Sequence, residues 1–313
     1  MNRLVLIDGN AILHRAYHAI PPLTAPDGSV VNAVYGFATM LFKIFQNLQP
    51  THMAVAFDRA APTFRKKLFK GYQSKRPKMD EDLVSQIDRV HKLVEAFGIP
   101  IFEKDGFEAD DVIGTLSQEA LNSKSKILNK SKIQNPNEQQ IDQVIIVTGD
   151  RDILQLVVDE KVLVYMPTKG LSEGKIYSEK DVIERLGVGP KQIPDLKGLM
   201  GDSSDNYPGV EGIGPKTALK LLTKYKSLQG ILKTNEFTKE EKESARMSYD
   251  LATIRRDVPI DMTLTQTANF NSPAARAFLE SLHFHSLLKR LGGGEEKPKV
   301  KELKKSDEQQ ELF

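Results

Sequence analysis

Three acidic residues lie close together at Glu108, Asp110 and Asp111, where a stretch with helical periodicity begins. Apolar residues recur behind them at spacings of four and three, which predicts a helix packed on a core with acids around its first turn. Acids are common at this end of a helix because they complement the helix dipole. The cluster therefore indicates a site only if other acids of the chain join it.

Aspartates also follow three short apolar runs, at residues 4–7, 53–57 and 144–147, each of which is typical of a buried strand. Aspartate and asparagine often begin turns after strands, which would explain any single case. The repetition favours a common ligand site, because α/β proteins bind ligands at the carboxyl ends of parallel strands. The aspartates that follow these strands are Asp8, Asp58, Asp150 and Asp152.

Carboxylates gathered at one edge of a sheet would repel one another and raise one another's pKa, unless cations neutralise them. The chain has no cysteine and no histidine cluster near these acids. Oxygen ligands without thiolates or imidazoles suit hard ions such as Mg²⁺ or Mn²⁺. The sequence therefore predicts a divalent metal site at this edge. Asp202 and Asp205, in a later loop just before a glycine-rich turn, form a segment that could also hold a metal.

Only basic charges occur between residues 59 and 78, and Phe64, Phe69 and Tyr72 are interleaved among them. A solvated face of the protein would explain the charges alone. The absence of acids and the aromatic spacing favour a nucleic-acid surface, in which cations contact phosphates and rings stack on bases.

A glycine-rich turn at residues 212–214 precedes Pro215, a residue suited to the first position of a helix. Such a turn exposes backbone N–H groups at a helix N-terminus, where phosphates bind. Gly-x-Gly alone is compatible with any tight turn, but lysines follow it at Lys216 and Lys220. The segment is therefore a second candidate nucleic-acid contact.

The chain has 313 residues, of which 40% are apolar, and this is typical of a globular protein with a substantial core. Strand-like runs separated by helical patterns predict an α/β fold with a mostly parallel central sheet covered by helices. We expect a polar insertion at about residues 121–143 and a flexible linker or tail at 292–313.

The first apolar run is too short for a signal peptide or a membrane span, and no cysteine is present. These features predict a cytoplasmic protein without a membrane partner.

Several sequence blocks resemble the flap endonuclease family, which includes the 5′ nuclease domain of bacterial DNA polymerase I. The resemblance extends from Leu4 to about Leu291. It implies a PIN-like or resolvase-like core at residues 1–185, with a helical arch at about 59–85. It also implies a helical DNA-binding region at 186–291 that contains a helix–three-turn–helix element. The matching blocks lie at residues 6–9, 34–37, 55–58, 106–111, 148–152 and 201–206.

The resemblance implies two metal positions, and all nine acids of the family pattern are present. The first position is near Asp8, Asp58, Glu108, Asp110 and Asp111. The second is near Asp150, Asp152, Asp202 and Asp205. Arg15 and Arg76 would neutralise phosphate charge. The implied DNA contacts are Arg65, Lys66, Tyr72 stacking on a base, Lys75, and, at a duplex-gripping turn with a bound K⁺, Gly212, Gly214, Lys216, Thr217 and Lys220.

One position departs from the family pattern, because the usual arch lysine after Tyr72 is replaced by Gln73. Glutamine can donate a hydrogen bond but supplies no charge. If the segment is helical, Arg76 shares a face with Gln73. We therefore predict that Arg76 supplies the missing cation.

The implied function is two-metal hydrolysis of DNA phosphodiester bonds at a 5′ flap, nick or 5′ end. It would serve RNA primer removal and repair in a bacterial cytoplasm, with a polymerase domain fused or in trans. Two alternatives remain open: a non-catalytic structure-specific DNA-binding module with structural ions, and a haloacid-dehalogenase-type phosphatase. The phosphatase requires an acid two residues after its first aspartate, where this chain has Asn10.

Overall fold

A computed structural model describes residues 1–122, 141–168, 173–262, 264 and 268–291. The strands are β1 (Arg3–Asp8), β2 (His52–Ala56), β3 (Ile101–Phe102), β4 (Gln143–Val147), β5 (Val162–Pro167) and β6 (Gly174–Tyr177). The helices are α1 (Gly9–Ala19), α2 (Asn32–Leu48), α3 (Phe64–Leu68), α4 (Glu81–Val84), α5 (Ile87–Ala96), α6 (Ala109–Asn122), α7 (Glu179–Leu186), α8 (Ile193–Met200), α9 (Pro215–Tyr225), α10 (Leu228–Leu232), α11 (Lys239–Ala252), α12 (Pro273–Ser281) and α13 (His285–Leu291). Most of the predicted insertion, and the whole predicted tail, lie outside the described residues.

The strands form one sheet in the order β3-β2-β1-β4-β5-β6, in which β1 to β5 are parallel and β6 is antiparallel. The predicted α/β fold with a mostly parallel sheet is therefore confirmed. The pairing of Leu6 with both Ala54 and Ile146 places the carboxyl ends of β1, β2 and β4 at the same edge. Strands β3 and β6 were not predicted, since one has only two residues and the other is a mostly exposed edge strand.

Two hydrophobic cores cover the faces of the sheet, and side chains of β1 alternate between them. Leu4 and Leu6 join the core that includes α6, α8, α9 and α11. Val5 and Ile7 join the core that includes α1, α2 and α5. Because both faces are covered, the central strands β1, β2 and β4 each carry an uninterrupted apolar run of at least four residues, which is the pattern seen in the sequence.

The last two helices, α12 and α13, pack on the α/β core. Phe270 lies 5.0 Å from Phe42 and 4.8 Å from Phe97, measured between ring centroids. Residues 268–291 therefore differ from the predicted organisation, which placed them in a helical DNA-binding region. Their apolar faces cover α2 and α5, a long-range contact that local periodicity does not reveal.

The predicted helical arch at 59–85 is helical only at α3 and α4. Gln73 has a φ of 55°, in the left-handed region, and its N–H donates to the carbonyl of Asp205. Pro77 also disfavours a helical conformation for the preceding residue, Arg76. The expectation that Gln73 and Arg76 share a helical face is therefore wrong.

Among the described helices, none combines the length and the apolar character that crossing a membrane requires.

Candidate active site

Asp8 is the last residue of β1 and caps α1 by accepting a hydrogen bond of 3.0 Å from the N–H of Ala11. Its other oxygen accepts a hydrogen bond of 2.7 Å from the hydroxyl of Thr148, which follows β4. Asp58, just after β2, accepts a hydrogen bond of 2.7 Å from the N–H of Ala109 at the start of α6. Three strand ends and one helix N-terminus thus hold these acids at one edge of the sheet.

Asp110 lies in the first turn of α6, among the other acids. Burial raises its pKa well above the usual value, and the charges of Asp150, Asp8, Asp58 and Glu108 raise it further. Burial also raises the pKa of Asp8 to about 7, and the negative charges of Asp58 and Asp150 contribute. The sequence prediction assigned Asp150 to the second acidic group, but its charge also acts on the first.

Asp111 does not share this environment, although it is the next residue after Asp110. Its side chain is fully buried and accepts two hydrogen bonds from Arg65, of 2.7 and 2.9 Å. It also accepts the N–H groups of Glu108 and Arg255. Because both oxygens are occupied by the protein, the predictions of Asp111 as a metal ligand and Arg65 as a DNA contact are wrong.

Glu108 faces the acids from the residue before α6. Thr63, Arg65 and Tyr72 contact its carboxylate at 3.1, 3.2 and 3.1 Å. Burial raises its pKa to about 6, although the positive charge of Arg65 acts in the opposite direction. Side chains at the base of the predicted arch therefore fix this acid.

The second acidic group consists of Asp152, Asp202 and Asp205, with Asp150 between it and the first group. The ammonium group of Lys197, on α8, donates to both Asp152 and Asp202. Burial raises the pKa of Asp152 to about 6 against the effect of Lys197. Burial acts to raise the pKa of Asp202 as well, but Lys197 and Ser204 outweigh it and lower that pKa.

The loop after α8 presents Asp202 and Asp205 through a tight backbone turn. Asp202 and Tyr207 exchange two backbone hydrogen bonds, of 2.9 and 3.0 Å. Gly209 has a φ of 67°, and a Cβ there would lie 2.2 Å from the nitrogen of Gly201. The close approach of these two glycines, which no other residue allows, fixes the position of the two aspartates.

Asp205 is bound by the arch segment. Arg76 pairs with its carboxylate, and the hydroxyl of Tyr72 lies 3.2 Å from it. Tyr72 is only 3% exposed, and its ring stacks on Tyr207 at 6.3 Å between centroids. The prediction that Tyr72 stacks on a DNA base is therefore wrong in this conformation, because the protein covers both its ring and its hydroxyl.

The other predicted DNA contacts lie on the surface. Lys66 and Lys75 are exposed on either side of the buried Tyr72. Arg15, on α1, is near Tyr165, where its charge opposes the rise in pKa that burial and a nearby carboxylate cause. These assignments stay predictions, as do those at the exposed start of α9: Gly212, Gly214, Lys216, Thr217 and Lys220.

The donor set of the two acidic groups fits hard divalent ions. Among the described residues, no three acidic or histidine side chains are gathered closely enough to hold an ion as they stand. In the second group the cations Lys197 and Arg76 pair with the carboxylates. The hydroxyl of Tyr207 is buried near Asp152, Asp202 and Asp205 and has no hydrogen-bond partner in the described part of the chain. A metal-bound water in this group would supply that partner.

Sequence reasoning missed three polar residues that organise the site. Thr148 orients Asp8, Lys197 bridges two aspartates, and Asn10 accepts a hydrogen bond of 3.0 Å from the N–H of Asp58. Thr148 could have been found as the first polar residue after β4. The bridge that Lys197 forms could not have been found, because Asp202 is near in sequence but Asp152 is far away.

The raised pKa values predict that stability without divalent ions falls as the pH rises from about 5 to 8. The folded state holds protons on Asp8, Asp110 and Glu108 that the unfolded state has already lost. Mg²⁺ requires the ionised carboxylates, so we expect it to raise the melting temperature more at pH 8 than at pH 5. Thermal melts at both pH values, with and without Mg²⁺, measure this. An equal Mg²⁺-induced rise in melting temperature at both pH values would contradict the prediction. So would an equal loss of that rise in Asp110→Asn and in the exposed-acid control Glu160→Gln.

Comparison with known proteins identifies the family of the chain. Residues 3–187 match the family model for the 5′-3′ exonuclease N-terminal resolvase-like domain, and residues 188–275 match that for the 5′-3′ exonuclease C-terminal SAM fold. DNA polymerase I of Bacillus subtilis is 40% identical over 301 residues, which cover 93% of this chain and 32% of the polymerase. The 5′-3′ exonuclease of Aquifex aeolicus is 35% identical over 299 residues, covering 93% of this chain and 96% of the relative. The chain thus spans about a third of the length of its polymerase relative.

Solved structures share the fold at low sequence identity. The bacteriophage T5 flap endonuclease, in a pseudo-enzyme-product complex with DNA and metal ions, aligns with a TM-score of 0.61 at 18% identity, over 93% of this chain and 96% of that one. The catalytic core of Rad2 in complex with DNA substrate aligns with a TM-score of 0.55 at 15% identity, over 93% and 92%. From the matched domains and the full-length Aquifex relative, the chain belongs to the 5′-3′ exonuclease family and is a nuclease.

Proposed function

We propose that the chain is a structure-specific nuclease that cuts DNA near 5′ ends, nicks and 5′ flaps with the help of two divalent ions. The observation that carries this proposal is the convergence of acids from three strand ends, from α6 and from the loop after α8. The T5 and Rad2 complexes with DNA support it, as does the T5 complex with metal ions.

Asp8, Asp58, Glu108 and Asp110 would hold one ion, and Asp150, Asp152, Asp202 and Asp205 would hold the other. Divalent ions at such sites supply an ionised water and stabilise charge on the attacking and leaving oxygens. Asp111 takes no part as a ligand because Arg65 and two backbone N–H groups occupy it. Lys197 and Arg76 would have to release the second group of acids before those acids could bind an ion.

Charged side chains at two surfaces would bind the DNA. Lys66, Lys75 and, once released from Asp205, Arg76 would contact the 5′ strand. The start of α9 would contact the duplex through the exposed N–H groups after Gly212, and the preceding turn is where a K⁺ ion would bind. Separate surfaces for the 5′ strand and for the duplex suit a substrate in which a single strand meets a duplex.

The sequence similarity to polymerases suggests a cellular role. The chain would remove RNA primers and damaged 5′ ends during replication and repair in a bacterial cytoplasm, together with a polymerase domain fused or in trans. The phosphatase alternative is disfavoured because Asn10, at the position of the required acid, binds the backbone of Asp58. The non-catalytic alternative does not agree with membership in a nuclease family.

Comparison of junction substrates tests the proposed function. With Mg²⁺, we expect a labelled duplex with a 5′ flap to be cut near the junction, and a matched 3′ flap to stay intact. Cleavage at the same rate of both flaps and of a blunt duplex would contradict structure specificity.

Replacing Lys216 with alanine should weaken binding to duplex-containing DNA. One lost phosphate contact should lower the slope of log affinity against log salt by about one unit. Fluorescence anisotropy over a series of salt concentrations measures the slope, with the exposed Lys233→Ala, at the C-terminal end of α10, as a control for charge alone. We expect the rate of cleavage of bound DNA to stay unchanged. A salt slope equal to that of the wild type would show that Lys216 does not contact DNA.

A further inference from the structure

Arg65 has an environment opposite to that of its neighbours in α3. Lys66 and Lys67 are exposed, whereas Arg65 is only 2% exposed. A buried charge is costly unless it is paired and hydrogen-bonded. Its burial beside the first acidic group therefore points to a role inside the protein.

The guanidinium group of Arg65 uses all five of its N–H donors. Nε donates to the carbonyl of Leu251 at 2.8 Å, and Nη2 donates to that of Thr253 at 2.9 Å. Nη1 donates to Asp111 at 2.7 Å and to Glu108 at 3.2 Å, while Nη2 also donates to Asp111 at 2.9 Å. A lysine, with three donors at one point, could not reproduce this fork.

The cluster of Arg65, Asp111 and Glu108 has one positive and two negative charges, so one negative charge remains for binding a metal ion. Arg65 neutralises Asp111, whose oxygens are all used within the protein. Glu108 keeps its negative charge and takes only a longer, shared hydrogen bond from Nη1. Arg65 can thus fix the direction of the Glu108 carboxylate without cancelling its charge.

The two carbonyl contacts connect Glu108 to the helical region. Leu251 and Thr253 lie at the C-terminal end of α11, which packs on α8. The same helix contacts the loop that carries Asp202 and Asp205, since Ser248 accepts the N–H of Gly209 at 3.0 Å. One guanidinium group therefore joins α6, the base of the arch and α11.

We propose that Arg65 is a positioning residue, which orients the Glu108 carboxylate so that it can bind the first proposed metal ion and fixes this orientation relative to α11. It does not contact DNA. The inference rests on the proposed metal-dependent function. It adds Arg65 to the residues that serve this function, with Arg65 acting through Glu108.

Arg65→Lys is the informative variant, because it keeps the charge and loses the fork. We expect the dissociation constant for Mn²⁺, measured by titration calorimetry without DNA, to rise about 10-fold to 100-fold. Affinity for 5′-flap DNA in EDTA should stay within about twofold of the wild type, and the salt slope of that affinity should not change. Lys66→Ala is the matched control, with weaker DNA binding, a salt slope lower by about one unit and unchanged Mn²⁺ affinity.

A double variant separates positioning from folding. Arg65→Met with Asp111→Asn removes both buried charges, so it should melt at a higher temperature than Arg65→Met alone. We expect it to bind Mn²⁺ as weakly as Arg65→Lys. Wild-type Mn²⁺ affinity in either folded variant would overturn the inference. Weaker DNA binding together with normal Mn²⁺ binding would also overturn it and would indicate that Arg65 contacts DNA. Absence of Mn²⁺ binding by the wild-type protein would instead overturn the proposed function.

Discussion

Replacing Asp110 with asparagine should lower the single-turnover rate of DNA cleavage by about 10³-fold or more and leave the fold intact. Asp110 is the acid on which the charges of Asp8, Asp58, Glu108 and Asp150 all act. Loss of a centrally placed ligand of the proposed metal ions would remove several kcal/mol of transition-state stabilisation, and about 4 kcal/mol corresponds to this factor.

The same substitution should preserve or tighten DNA binding, because it adds no charge at a pH where Asp110 is protonated and removes a negative charge near the proposed phosphate site at a pH where Asp110 is ionised. Anisotropy titration of flap DNA in EDTA measures the affinity, and rapid-quench assays in Mg²⁺ measure the rate. Glu160→Gln, an exposed acid away from the described acidic groups, controls for charge. If Asp110→Asn loses DNA binding and cleavage together while it remains folded, the metal-site assignment fails.

Replacing Asp111 with alanine should cause a large loss of stability, in contrast to Asp110→Asn, which leaves the fold intact. The substitution leaves the buried guanidinium of Arg65 without its main partner, which costs about 3–5 kcal/mol. The melting temperature should then fall by about 10 °C.

The neighbouring variant Asp110→Ala provides the contrast. It removes one of several repelling buried carboxylates, so its melting temperature in EDTA should equal or exceed that of the wild type. Differential scanning calorimetry of the two variants in EDTA compares them directly. Equal losses of stability would contradict the different roles given to these adjacent acids.

The sheet and the positions of the strand-end acids could be predicted from the sequence because they depend on local patterns. Apolar runs of four or five residues define β1, β2 and β4, and the aspartates after them necessarily lie at one edge of a parallel sheet. The glycine turn and Pro215 likewise mark the start of α9.

The roles of individual charged residues could not be predicted, because they depend on contacts between distant segments. Arg65 and Lys66 are adjacent basic residues, yet one pairs with Asp111 in the interior and the other is exposed. Tyr72 is covered by Tyr207, and Gln73 takes a left-handed conformation in which its N–H donates to the carbonyl of Asp205. The charge of a residue and its spacing in the sequence do not distinguish a surface contact from an internal ion pair.

Cleavage of 5′-flap DNA as a function of divalent ion tests the central claim most directly. The protein is stripped with EDTA, bound to a flap labelled at its 5′ end, and supplied with Mg²⁺ or Mn²⁺ in single-turnover conditions. We expect no product in EDTA, release of the labelled 5′ arm when either ion is added, and no release by Asp110→Asn. Cleavage in EDTA at the wild-type rate, or bound DNA that stays uncut with both ions, would contradict the account.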